Sequence, residues 1–237
     1  MWLREFSNSH FVRVNKRLNP KIWLDGGILD GEVKEKLLHA AKVFQDFLGV
    51  EISVEDVTIT GSNANYTWTE YSDLDLHLIV PGIPSDEERE LYSAKKALWA
   101  EQHTVTIKGL PLELYVQGAD EIHHSTGIYS ILHDEWITEP KKVKPSVDDA
   151  AVRAKLEDLM SEVRSALNSD ELARVAKVKD KITQMRKAGL ERAGEWATEN
   201  LVFKQLRNKG AIDALTNHIR NLEDISLSLE NTNQAID

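Results

Sequence analysis

Apolar residues recur at helical spacing through Gly31 to Leu48, where Val33, Leu37, Leu38, Ala41, Phe44 and Leu48 fall on one stripe. Gly49 directly follows the stripe, and a glycine there predicts the helix stop. The period then changes from 3.6 to 2. Residues 54–60 (VEDVTIT) set Val57 and Ile59 against polar neighbours, and Gly61-Ser62 breaks the run. Residues 73–80 (DLDLHLIV) predict a second strand, closed by Pro81-Gly82. Residues 85–102 predict a helix opened by a capping box, with Ser85 as N-cap and Glu88 three residues on. Two short strands, 104–108 and 112–116, flank Gly109-Leu110-Pro111 and predict a hairpin.

Beyond Pro145 the alternation disappears. Residues 147–168, 170–188, 196–209 and 211–229 predict helices, with Gly189, Gly194 and Gly210 as breaks. Residues 230–237 lack apolar spacing and predict a flexible tail. The expected fold class is therefore α+β: a small mixed β-sheet with flanking helices, packed against a C-terminal all-helical domain. The boundaries are 1–140 for the sheet-bearing domain and 146–229 for the helical one, joined by the segment Pro140-Lys141-Lys142-Val143-Lys144-Pro145.

Composition narrows the function classes. The chain has 237 residues, 41% hydrophobic and 29% charged, which is ordinary globular usage and long enough for a sizeable core. It has no cysteine, which excludes disulfide frameworks, thiolate zinc sites and a Cys nucleophile. No stretch approaches the ~18–20 apolar residues of a membrane helix. The start, Met1-Trp2-Leu3-Arg4-Glu5-Phe6, carries charge where a secretory leader is apolar, so a cytoplasmic protein is expected. The net charge of −10 argues against a protein that coats nucleic acid, but the charge is uneven. Residues 141–210 carry 16 Lys and Arg against 11 Asp and Glu, a balance of +5, leaving −15 for the rest. An acidic front with a basic helical segment behind it suits a carboxylate site beside a phosphate-binding surface; chance patterning of solvated faces is the alternative.

The chemistry concentrates between Gly61 and His77 (GSNANYTWTEYSDLDLH). Residues two apart on a strand share a face, so Asp73 and Asp75 point one way while Leu74, Leu76 and Leu78 point into a core. Two adjacent carboxylates repel unless a cation lies between them, and oxygen-only ligands suit Mg²⁺ or Mn²⁺. Glu113, between Leu112 and Leu114, projects from its own strand in the same manner. If the two strands are neighbours, three carboxylates converge on a two-metal site for in-line phosphoryl displacement. Upstream, Gly61-Ser62 at a strand end offers close backbone approach, free N–H groups and a hydroxyl for phosphate oxygens.

Gly61-Ser62, ten intervening residues and Asp73-Leu74-Asp75 resemble the signature of the DNA polymerase β-like nucleotidyltransferase superfamily. The likeness is nearer to its minimal and aminoglycoside-type members, whose motif runs Gly-Ser-x-Ala-x-Gly-Thr and then Ser-Asp-x-Asp-Leu. Gly61, Ser62, Ala64, Thr67, Ser72, Asp73, Asp75 and Leu76 match it, while Tyr66 stands where the family has glycine. More loosely, the whole chain resembles nucleotidyltransferase-like proteins of tailed bacteriophages, in stretches such as Glu113-Leu114-Tyr115-Val116-Gln117 and Glu199-Asn200-Leu201-Val202-Phe203-Lys204; a phage protein would act in the host cytoplasm. The resemblance implies Mg²⁺- or Mn²⁺-dependent transfer of a nucleoside monophosphate from an NTP donor to an acceptor hydroxyl, with release of pyrophosphate. It implies Asp73, Asp75 and Glu113 as catalytic and metal-binding residues, and Gly61, Ser62, Asn63 and Ser72 around the nucleotide. The acceptor stays open between an RNA or tRNA end, a small molecule, a protein side chain and a second nucleotide.

Other residues are weaker candidates. His77 shares the face of Asp75 and reads first as a hydrogen-bonded wall residue. His123-His124-Ser125-Thr126 reads as a polar loop at the rim of the cleft. The six tryptophans read singly, as core or interface anchors. Asn200, Lys204 and Arg207 fall at i, i+4 and i+7, one polar face of a helix, and the two cations are candidates to grip a triphosphate. A non-catalytic nucleotide- or protein-binding module with the same fold, and a nucleic-acid-binding factor using the basic segment, are the competing readings.

Overall fold

The computed structural model describes residues 14–123, 125–143 and 146–229. The leading segment, His124, Lys144, Pro145 and the 230–237 tail lie outside the described residues. The chain divides into two compact units, one spanning Arg13–Lys144 and the other containing Pro145–Asp237.

In the first unit, α1 (Gly31–Leu48) forms as its spacing predicts and buries Val33, Leu37, Ala41, Phe44 and Leu48. Asp30 caps it by accepting from the Val33 N–H, and Gly49 ends it at φ 71°. β1 (Asp56–Thr60) and β2 (Leu74–Val80) follow. α2 (Asp86–Gln102) carries the complete Ser85/Glu88 capping box. β3 (Thr106–Ile107) and β4 (Leu110–Gly118) form the expected hairpin, but its turn is Lys108-Gly109. Both turn residues have positive φ, 50° and 78°, which suits a two-residue connection between twisted strands. Leu110 and Pro111 thus belong to β4, where Leu110 is fully buried. β5 (Ile128–Ser130) and β6 (Glu135–Thr138) complete the sheet.

The strand order is β3-β4-β2-β1-β5-β6. β2 and β4 are parallel, joined by the crossover through α2; the other neighbours are antiparallel. β2 alternates as predicted, with Leu74, Leu76, Leu78 and Val80 buried. β1 does not: all five residues are buried, because it lies between β2 and β5 and is covered on both faces. Its polar residues are absorbed internally; the Asp56 carboxylate accepts from Ser130 Oγ at 2.8 Å and from the Val57 N–H at 2.7 Å. The aromatic residues are grouped rather than single. Trp23 stacks on Trp136 at 4.8 Å with Tyr129 edge-on, and Trp99 meets Phe44 and Phe47.

Among its described residues the second unit holds the α-helices α3 (Asp149–Leu167), α4 (Leu172–Ala193), α5 (Thr198–Asn208) and α6 (Ala211–Leu227). Val152, Leu156, Leu159, Val163, Val175, Ile182, Leu201, Val202, Leu206 and Leu215 form its core. Gly194 and Gly210 bound helices with positive φ, but Gly189 does not break one. It is buried inside α4, where a Cβ would stand 2.6 Å from Glu199 Cβ and 3.3 Å from Ala197 Cβ. Gly189 therefore permits α4 to approach the start of α5 closely. Among the described residues, no helix is long and apolar enough to cross a membrane.

Candidate active site

The acidic residues are brought together by register. Asp75 on β2 and Glu113 on β4 are direct partners across the parallel pair, so their side chains leave the same face of the sheet. Asp73 sits just before β2, two residues upstream of Asp75. All three are half-buried, while Leu74, Leu76, Leu112 and Leu114 are buried on the opposite face.

Gly61 sits against this pair. Thr60 is the register partner of Asp75 across β1 and β2, which puts Gly61 beside the Asp75 carboxylate. A Cβ on Gly61 would fall 1.9 Å from Asp75 Oδ2, and its φ of 70° with ψ of −156° is open in practice only to glycine. The glycine is thus required by the carboxylate. Its N–H donates to Ser125 Oγ at 3.1 Å, and that hydroxyl donates to the Gly127 carbonyl at 2.8 Å. Ser125, expected only at the rim, therefore ties down the end of β1.

Two of the residues expected around the nucleotide make hydrogen bonds inside the protein. Asn63 is fully buried; its amide donates to the Asp73 carbonyl at 2.7 Å and accepts from Asn19 Nδ2 at 2.7 Å. It holds the loop in front of β2, and its side chain is spent inside the protein. Ser72 is buried too, its hydroxyl accepting from the Thr69 N–H at 2.9 Å to close the turn before Asp73. Ser62, half-buried, opens the short 3-10 turn Ser62–Ala64. Tyr66, at the family's glycine position, packs partly into the core, with the Lys142 ammonium 4.8 Å from its ring centroid.

The residue that sequence reasoning missed is Lys96 on α2. Its ammonium lies 3.3 Å from Glu113 Oε2 and 3.2 Å from the centroid of the Tyr115 ring. Tyr115 OH donates to the same Glu113 oxygen. Burial pushes the Lys96 ammonium below the ordinary lysine range, and the charges of Glu113, then Asp75, then Asp73 oppose that shift. A single cation is therefore within electrostatic reach of all three carboxylates. The convergence on a metal expected from the sequence is not complete as the side chains stand. Among the described residues, no group of three or more His, Asp or Glu is arranged to hold a metal ion. Glu113 Oε2 is instead engaged by Lys96 and Tyr115. The donor set nonetheless fits a hard divalent cation, since the side chains are oxygen-only and already gather around one positive charge.

His77 forms the wall beside the carboxylates. Its Nδ1 donates to Gln117 Oε1 at 2.7 Å, which leaves Nε2 to accept from Thr60 Oγ1 at 3.1 Å, and its ring stacks on Tyr115. Burial first, and then His123, push its pKa down to about 4, so the ring is neutral near pH 7.

In the helical unit, the expected cationic face is only partly exposed. Asn200 is buried and donates to the Glu195 carbonyl at 2.8 Å, so it does not belong to a solvent-facing surface. Lys204 pairs with Glu195 at 3.6 Å, and Arg207 is exposed. Lys155 and Arg192 both bind Glu199, at 2.8 Å and 2.6 Å.

No protein-family model matches this chain, and no curated protein matches it. Two solved structures show a likeness of chain course. One is the STING-associated CdnE c-di-GMP synthase from Capnocytophaga granulosa, at 12% identity over 84% of this chain and 83% of that one, with a TM-score of 0.23. The other is the spectinomycin adenyltransferase AAD(9) from Enterococcus faecialis, at 12% identity over 80% of this chain and 99% of that one, with a TM-score of 0.24. Overlap this low assigns no activity to this chain.

Proposed function

We propose that this protein transfers a nucleoside monophosphate from an NTP to an acceptor hydroxyl, releasing pyrophosphate. The observation that carries the reading is the in-register pair Asp75 and Glu113 on adjacent parallel strands, with Gly61 packed on Asp75. These residues occupy the motif positions that resemble polymerase β-like nucleotidyltransferases.

Asp73, Asp75 and Glu113 would hold Mg²⁺ or Mn²⁺. Bound there, the ion offsets triphosphate charge and acidifies the acceptor hydroxyl. Glu113 receives the proton of the acceptor hydroxyl as the oxygen attacks the α-phosphorus and the bond to pyrophosphate breaks. The turn at Gly61-Ser62 meets the β- and γ-phosphates. The Gly61 N–H, now donating to Ser125 Oγ, is the donor a phosphate oxygen would claim there. The neutral His77 ring and its partners keep β2 and β4 in register and carry no proton in the reaction.

The test is incubation with each of the four NTPs labelled at the α-phosphorus, with Mg²⁺ or Mn²⁺, alongside separate pools of RNA, protein and small hydroxylated molecules. Label entering one pool, with release of pyrophosphate, is the expected result and identifies donor and acceptor together. Nucleotide binding without label transfer to any pool would favour the non-catalytic reading instead.

A further inference from the structure

Lys96 is not among the residues that the motif assigns, yet it makes a charged contact with the site. Its stem comes from α2, next to β4, and its ammonium reaches Glu113 Oε2 at 3.3 Å while lying 3.2 Å above the Tyr115 ring. Tyr115 OH donates to the same oxygen, so the ammonium, ring and carboxylate form a closed triangle. The triangle occupies Glu113 Oε2, and Glu113 is the register partner of Asp75, so a divalent ion held by these carboxylates would compete with Lys96 for that oxygen. The two cations want the same acceptor at the same place.

We propose that Lys96 is a positioning residue that latches Glu113 in the metal-free protein and is displaced from it by the divalent cation. The inference rests on the nucleotidyl-transfer reading above. Tyr115 forms the cradle of the latch, since its ring face carries the ammonium when the carboxylate lets go. A flexible four-carbon stem lets the displaced ammonium turn outward, toward the place where a metal-bound triphosphate presents its charge. Lys96 then becomes a phosphate partner in the loaded state, and its removal acts oppositely on the two ligands. Metal alone binds better without it, because a competing cation is gone. The triphosphate binds worse, because a charge-assisted contact is gone.

The experiment measures Mn²⁺ binding to the full chain without nucleotide, by calorimetry or the loss of the free-ion paramagnetic resonance signal. Wild type, Lys96→Met, Lys96→Arg and Asp75→Asn are compared, with far-UV circular dichroism as the folding control. Lys96→Met should tighten Mn²⁺ binding about tenfold or more, Lys96→Arg should remain near wild type, and Asp75→Asn should lose binding. In the presence of saturating Mn²⁺, Lys96→Met should raise KM for the NTP about tenfold. Mn²⁺ affinity in Lys96→Met equal to or weaker than wild type, with Asp75→Asn still abolishing it, overturns the latch and leaves the metal site standing. Mn²⁺ binding indifferent to Asp75→Asn, or absent from every variant, overturns the metal site itself and the latch with it. If Lys96→Met does not fold, the increase in Tm on adding Mn²⁺ is compared between wild type and Lys96→Gln, where a larger increase in the variant supports the latch and an equal one overturns it.

Discussion

At the scale of single residues, Gly61 and Asp75 form one unit. Gly61→Ala places a methyl 1.9 Å from Asp75 Oδ2 and forces a side chain into a backbone region that only glycine uses readily. Unfolding in urea should show a loss of roughly 1–3 kcal/mol, the usual cost of such strain, and activity should fall further because Asp75 is displaced. His77 provides a pH test. Its pKa is about 4 in the fold, and an unfolded histidine titrates near 6.5, so the unfolded chain binds the proton first as pH falls. Its stabilising contribution is present above about pH 6.5 and is lost as pH drops toward 4. Stability measured across that window should fall by up to about 1.4 kcal/mol per pH unit on this account, and His77→Gln should flatten the slope. An unchanged slope in the variant would contradict the assignment. The acidic pair was legible in sequence because strand alternation fixes the face of Asp75 and Glu113. Lys96 was not, because a lysine on an amphipathic helix carries no mark of the tertiary neighbour it will reach. Ser72 matched the motif and Asn63 lay at an unspecified position within it, and the motif does not distinguish a loop's internal hydrogen bonds from ligand contacts.

At the scale of elements, the long periodic helices and the two central strands followed from pattern alone, and α1 does so at both ends. β5 and β6 did not, since three and four residues are too few for a period to register. Gly189 is the instructive error. Glycine after a helical run ordinarily signals a stop, yet α4 passes through it because α5 packs against that spot. The sign of Gly189→Ala follows from two magnitudes. Alanine gains about 1 kcal/mol of helix propensity, while a Cβ 2.6 Å from Glu199 Cβ must push α4 and α5 apart, costing ~1–3 kcal/mol as overpacking. Net destabilisation by up to about 2 kcal/mol is expected in chemical denaturation. A more stable variant would show that the two helices separate easily.

At the scale of the whole molecule, charge separates along the chain, +5 over residues 141–210 and −15 elsewhere. Within the helical unit many of these cations are engaged locally, Lys155 and Arg192 with Glu199 and Lys181 with Glu162. Lys204 also has a local partner, Glu195 at 3.6 Å. Glu113→Gln should slow turnover by about 100-fold or more, the scale of lost general base catalysis. The central claim is that the carboxylates following Gly61-Ser62 perform metal-dependent nucleotidyl transfer. The most direct measurement is pyrophosphate release from NTP with Mg²⁺ and acceptor, compared between wild type and the Asp73→Asn, Asp75→Asn double variant. The account predicts release by wild type and none above background by a folded double variant; equal release by the two would contradict it.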